Sequence, residues 1–263
     1  MNRMESTLRA VCAVTAAIAF GAVVAADTDT PVLNIGGTNN PGGTVKGAVK
    51  FEGRQAKRKR IKMDADTFCK GAHASEPALM ERYIFGENDT LQNVFVYVSK
   101  GLDGKSFSTP TEKSIIDQRG CVYVPHVSGV MVDQTIEIHN SDMTLHNVKM
   151  TSNNNDTFNQ GMVQGVALTK SLSSPEMGVR FKCDVHPWMS AFVHVLSHPF
   201  FAVTQADGTF TIKGLPPGDY ELSVWHEFDK FVPVEKMIKV SVAEGETKEV
   251  TFTYKPPKKK KKK

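Results

Sequence analysis

Past Val24 the chain has no apolar run long enough to cross a bilayer, which takes about 20 residues as a helix. It also lacks any Ser/His/Asp arrangement, phosphate-cradling loop or paired-carboxylate motif, so nothing marks an independent hydrolase. Helical spacing of apolar residues is scarce too. Turn residues recur at short intervals, and the longer runs are β-branched or aromatic. That pattern predicts an all-β protein of short antiparallel strands, with residues 65–83 the place where a short helix fits. A single-sign charge excess is missing from the body as well. Of the formal +4, the first segment holds +1 and the six terminal lysines +6, which leaves the body at −3. No nucleic-acid partner is expected from such a body.

What is present starts with an address. Arg3 and Arg9 precede an apolar run over residues 10–24, and Val24-Ala25-Ala26 offers small residues before Asp27. This is the pattern of a secretory signal peptide over 1–26, and it predicts a periplasmic or secreted protein; an uncleaved anchor is the alternative. Residues 27–43 read as a linker. With 40% apolar and 23% charged residues, the remainder has the composition of a soluble globular chain.

Cleavage would remove Cys12 and leave Cys69, Cys121 and Cys183. In an oxidising compartment an odd count suggests one disulfide and one thiol with other work. Cys69 and Cys121 are the expected pair. Two buried thiols, or a zinc site completed by His73 and His126, are the other readings. Between β-like segments, Arg54, Lys57, Arg58, Lys59, Arg60 and Lys62 form a basic run. It reads as a solvated loop or as a docking patch for an acidic partner.

Cys183 opens Cys183-Asp184-Val185-His186-Pro187-Trp188-Met189, a Cys-x2-His-x2-Met spacing. Two His and one Cys with a weak axial Met make a trigonal copper site suited to electron transfer. The loop therefore needs one more His. His146 supplies it by type and context: a strand ends at Asn140, a turn follows, and His146 begins the next strand. His139 and His194 fall within strands, where structural roles are expected. A second copper would need a second Cys nearby, but Val179 and Pro187 hold those places. Zinc rarely takes Met. Delivery of Cu(I) by a chaperone would use the same donors, normally on exposed loops.

His146-Asn147 together with Cys183-x2-His186-x2-Met189 resembles the cupredoxin (blue-copper) family, and the short loop is similar to the amicyanin and plastocyanin type. The resemblance implies a Greek-key β-sandwich, one type 1 copper and an electron carrier with a separate redox partner protein. It implies His146, Cys183 and His186 as equatorial ligands and Met189 as the axial one. Asn147 would tie the ligand loops together near the sulfur, and Pro187 would stiffen the loop. Trp188 would join an apolar collar around His186, whose ring edge would face solvent as the electron route.

After residue 197 the composition changes. Asp207-Gly208-x-Phe210 reads as a hairpin turn, and with Leu215-Pro216-Pro217-Gly218-x-Tyr220 it resembles the carboxypeptidase regulatory-like (transthyretin-like) β-sandwich. The division expected is thus a cupredoxin-like domain over 44–197, a small sandwich over 198–254 and a polylysine tail over 255–263. So short a second domain is marginal as a core, so 44–52 is alternatively assigned to it, which makes the copper domain an insertion. Modules of this kind can bind carbohydrate, for which Tyr220, Trp225 and Phe228 would be the platform. The tail (Lys258, Lys259, Lys260, Lys261, Lys262 and Lys263) suits an anionic surface or an acidic protein.

Overall fold

The computed structural model describes residues 42–256; the expected signal peptide, nearly all of the expected linker and residues 257–263 of the expected tail lie outside the described residues. The chain opens with β1 (Gly43–Phe51), whose alternation sends Val45, Val49 and Phe51 inward. A connection carrying α1 (Thr67–Ala72) leads through the short strands β2 (Ile84–Phe85) and β3 (Leu91–Gln92) to β4 (Phe95–Lys100). Then come β5 (Ser114–Arg119), β6 (Val122–Val124), β7 (Val127–Met131) and β8 (Ile136–Asn140). They are followed by β9 (His146–Thr151), β10 (Phe158–Met162), β11 (Ala167–Lys170), β12 (Glu176–Lys182) and β13 (Ser190–Leu196). The chain finishes with β14 (Phe201–Val203), β15 (Thr209–Leu215), β16 (Gly218–Trp225), β17 (Val232–Pro233), β18 (Met237–Val242) and β19 (Thr247–Lys255). The protein is all-β, and α1 falls inside the stretch where a short helix was expected.

Two cores organise the strands. The sheet β10-β9-β12-β13-β7 and the sheet β11-β8-β5-β6 enclose the first. Val148, Met150, Val179, Phe181 and Val193 meet Ile116, Tyr123, Ile136 and Ile138 there. The period-2 pattern of β8 explains its part: Ile136 and Ile138 turn in, Glu137 and His139 turn out. The sheets β15-β1-β19-β17 and β14-β4-β16-β18 enclose the second core, where Val45, Val49, Phe210, Ile212 and Phe252 face Val96, Val98, Tyr220 and Leu222.

Strand pairing crosses the division expected at residue 197. β1 runs parallel to β19, in register from Thr44↔Thr247 to Phe51↔Tyr254, and antiparallel to β15. β4 lies between β14 and β16. The second core therefore takes strands from residues 43–51 and 95–100, because the strands after 197 carry too little apolar surface to close two sheets alone. The Asp207-Gly208 turn forms, with Gly208 at φ +75° and its N–H donating to the Gln205 carbonyl. Its flanking strands do not make a hairpin, however: β14 joins β4 and β15 joins β1. The turn is a corner between sheets, since β1 offers β15 a longer partner than the three-residue β14 does.

The two cores meet at Phe95, Val127 and Leu196, with Tyr97, Phe201 and Trp225 around them. His194 is structural: its ring stacks on Phe95 at 4.0 Å and meets Trp225 edge-on at 4.4 Å. A Cβ at Gly129 would lie 2.5 Å from the Phe201 ring, so only glycine fits this contact. His126 clips the same junction, its Nε2 2.8 Å from Glu227 Oε2 with Glu81 on its other side. Burial pulls its pKa down, but the Glu227 carboxylate outweighs burial and the net direction is up.

Two outcomes follow. A fragment of residues 198–256 is expected to show no cooperative unfolding by circular dichroism, because β15 and β19 lose β1, and β14 and β16 lose β4. His126→Gln should cost about 3 kcal/mol at pH 6, the order of a broken buried pair. A raised folded pKa means that this contribution is full below about 6.5, the unfolded value, and is lost as pH rises through the folded one. Urea melts at pH 6 and pH 9 check the sign: an equal loss at both contradicts it.

Candidate metal centre

β12 and β13 pair as far as Lys182↔Ser190, so the loop from Cys183 to Met189 is pinned at both ends. It closes on itself: the Cys183 N–H donates to the Met189 carbonyl (3.4 Å), and the Met189 N–H donates to the His186 carbonyl (2.9 Å). β9 lies on the other side of β12, with Lys149 opposite Lys182. That register carries His146 and Asn147, at the head of β9, to the foot of β12.

The structure brings together His146, Cys183 and His186, which are 0%, 1% and 1% exposed. The two Nδ1 atoms are 2.8 Å apart, and the Cys183 sulfur is 3.9 Å from that of His146 and 3.8 Å from that of His186. With bonds of about 2.0 Å to nitrogen and about 2.3 Å to sulfur, as for zinc, these S···N spacings subtend roughly 125° at a shared ion. That is near a trigonal angle. The N···N spacing subtends about 90° with the same bonds, so the rings need to part by only a few tenths of an ångström. The donor set fits copper. Met189 is 1% exposed within the same core.

The outer nitrogen of each ring is held. His146 Nε2 donates to Asp142 Oδ2 at 2.9 Å, and His186 Nε2 donates to Asp66 Oδ2 at 3.2 Å. Each bond leaves Nδ1 to face the sulfur, the way carboxylates orient metal-binding histidines. Asp142 also accepts the N–H groups of Gly120 and Cys121, both at 2.7 Å. Burial raises its pKa, but these bonds and His146 overcome that and hold it low. His146 is pulled down by burial, yet Asp142 and Cys183 lift its pKa to about 9. Burial raises the Cys183 thiol; His146 and the N–H groups of Asn147 and His186 more than reverse this, so the thiol ionises more readily than a free one. Burial and the neighbouring His146 charge keep His186 neutral to lower pH than usual, against Asp66.

Asn147 links both ligand segments. Its N–H donates to the Cys183 sulfur at 3.5 Å, and its side-chain oxygen accepts from the Asp184 (2.6 Å) and Val185 (3.3 Å) N–H groups. Pro187 is exposed. Trp188 packs 5.0 Å from the His186 ring and donates from Nε1 to the Cys121 carbonyl at 3.0 Å.

The ring edge of His186 does not face solvent, contrary to the expectation from the family resemblance. A lid covers it. Cys69 and Cys121 are joined in a disulfide, and the Cys69 sulfur lies 3.7 Å from His186 Nε2. Asp66, the N-cap of α1, accepts the Cys69 N–H through Oδ1 and Thr144 Oγ1 through Oδ2. The basic run lies on the same segment, where the Ile61 N–H donates to the Ala78 carbonyl and the Met80 N–H to the Lys59 carbonyl. The disulfide leaves no thiols for a zinc site: His73 bonds the Gly120 carbonyl and His126 bonds Glu227. The aromatics suggested as a sugar platform are spent on packing. Tyr220 is buried, Trp225 meets His194 and Phe192, and Phe228 meets Tyr83 and Phe231.

Sequence reasoning missed Asp66 and Asp142. Each had a local signal: Asp66 precedes α1 as a helix cap does, and Asp142 sits in the turn four residues before His146.

Replacing Cys69 and Cys121 by Ser should cost about 4 kcal/mol for the loss of a cross-link of this span, whose sequence separation is 52. It should also speed iodoacetamide alkylation of Cys183 in native buffer at least tenfold. Unchanged alkylation would mean that the lid closes without the disulfide.

No protein-family model and no curated protein matches the chain. Among solved structures it is similar to a purple cupredoxin from Nitrosopumilus maritimus, at 20% identity and a TM-score of 0.28 over 31% of this chain and 98% of that one. It is also similar to a copper(I) form of an amicyanin variant, at 18% identity and a TM-score of 0.30 over 34% and 86% of the two chains. A copper-containing nitrite reductase from Thermus scotoductus matches at 16% identity and a TM-score of 0.31, over 38% of this chain and 26% of that one.

Proposed function

We propose that this chain is an exported, mononuclear blue-copper protein that carries single electrons between redox partners. The convergence of the Cys183 sulfur with the inward nitrogens of His146 and His186, in a pocket closed to water, carries this reading. Bound copper would supply a one-electron couple. The residues supply the rest. Asp142 and Asp66 fix both rings with Nδ1 inward, and the N–H groups of Asn147 and His186 favour the thiolate that a metal requires. Met189, buried at the end of the loop, would be the fourth and weak donor, and Pro187 stiffens the loop between the ligands. The lid and Trp188 exclude water, and the hydrogen bonds from Asp142, Asp66 and Asn147 would hold the donors in one arrangement in both oxidation states.

Export is supported by the basic start and apolar run of the first 26 residues, and by a disulfide of the kind that persists in oxidising compartments. Delivery of Cu(I) fits less well, because a delivery protein presents its donors and these are sealed.

One equivalent of Cu(II) added to the metal-free protein should give an intense visible absorption that Cys183→Ser abolishes. Met189→Leu should keep the colour and shift the reduction potential. A colourless protein that holds only Cu(I) contradicts the reading.

A further inference from the structure

Charge is divided unevenly over the molecule. Residues 54–72 hold seven basic side chains against Asp64 and Asp66, a net +5, so the rest of the −3 body carries −8. Arg54, Lys57, Lys59, Arg60 and Lys62 are exposed, and among the described residues none of them is ion-paired. The Arg58 guanidinium is spent on the Leu79 and Met80 carbonyls. Lys70 pairs with Asp64 at 3.4 Å.

This positive pole coincides with the lid. Met63 and Cys69 plant the segment in the core of the metal-bearing sandwich, and Ile61 and Phe68 pack against it. Hydrogen bonds to residues 78–80 and the disulfide to Cys121 hold it in place. A freely solvated charge run has no such anchors. Asp66 and Cys69, which bar His186 from solvent, follow directly on this run in a segment of net +5, and a cation cluster of this kind raises the encounter rate of anionic partners.

We infer that the lid is the docking face for an acidic one-electron protein, and that electrons reach the metal centre through Asp66 and the Cys69 sulfur beneath it. The inference rests on the electron-transfer reading above. The step itself is minimal: the partner's redox centre gives up one electron, the metal centre gains it, and no bond or proton moves. An anionic bilayer would meet the same cations but offers no one-electron centre, so the partner is a protein.

Hexacyanochromate(III), a paramagnetic trianion, titrated into the isotope-labelled, metal-free full chain should broaden amide signals at residues 57–62 and 66–72. Broadening confined to the terminal lysines overturns the inference. This titration needs no metal, so it reads the lid independently of the copper chemistry. In the copper-loaded, reduced protein, oxidation by ferricyanide should slow roughly tenfold from low to high ionic strength, while oxidation by the cationic tris(phenanthroline)cobalt(III) should not slow. The combined change Lys57→Glu, Lys59→Glu, Arg60→Glu and Lys62→Glu, with its unfolding midpoint checked against the parent, should reverse that preference. An unchanged preference overturns the inference, as does lid-dependent binding to phosphatidylserine vesicles, which would assign the surface to lipid.

Discussion

Two imidazoles and a thiolate can share a buried space only if each ring is held from behind. Here the two holds are carboxylates: Asp142 on His146 at 2.9 Å and Asp66 on His186 at 3.2 Å. Without them the outer ring nitrogens would be buried and unpaired, which costs free energy for any polar group. With them, both ring orientations are set, both inner nitrogens face Cys183, and the positive charge favoured on His146 is matched. The carboxylates are held in turn. Asp142 takes two backbone N–H groups, and Asp66 takes the Cys69 N–H and the Thr144 hydroxyl. The centre is therefore part of a continuous polar network that runs from the turn before β9 into the cap of α1.

The fold serves that network. β9 and β12 bring His146 and Cys183 together by strand register, and Tyr123 adds a tie by placing its hydroxyl near the carbonyls of Asn147 and Lys182. The Cys69–Cys121 disulfide fastens the lid beside the N–H groups that Asp142 accepts. Closing His186 in this way separates the metal centre from solvent and moves contact with the outside onto the lid. The second sandwich, joined through Phe95, Leu196 and the close approach at Gly129, braces β7 and β13 from the far side.

Much of this was legible in the chain, for a physical reason. The ligand loop is seven consecutive residues whose chemistry is local, and His146 follows a strand end and a turn that periodicity reveals. The α1 position and the inward faces of β1 and β8 follow from the same short-range patterns. What could not be read was long-range. Asp66 meets His186 across 120 residues, and nothing in residues 64–72 announces that they will cover a ring so distant. The buried ring edge of His186 follows from that contact and from the Cys69 sulfur beside it. The Asp207-Gly208 turn signalled a hairpin and formed as a turn, but its strands separated because β1, more than 150 residues earlier in the chain, competes for β15. Local sequence sets the turn; distant pairing decides which sheet each strand joins.

We propose that one thiolate and two imidazoles hold a single copper ion. X-ray absorption at the copper edge of the loaded protein tests it most directly. The expected result is one short sulfur contact and two imidazole nitrogens as the nearest neighbours, with the sulfur lost in Cys183→Ser. Two short sulfur contacts, or none, would contradict it.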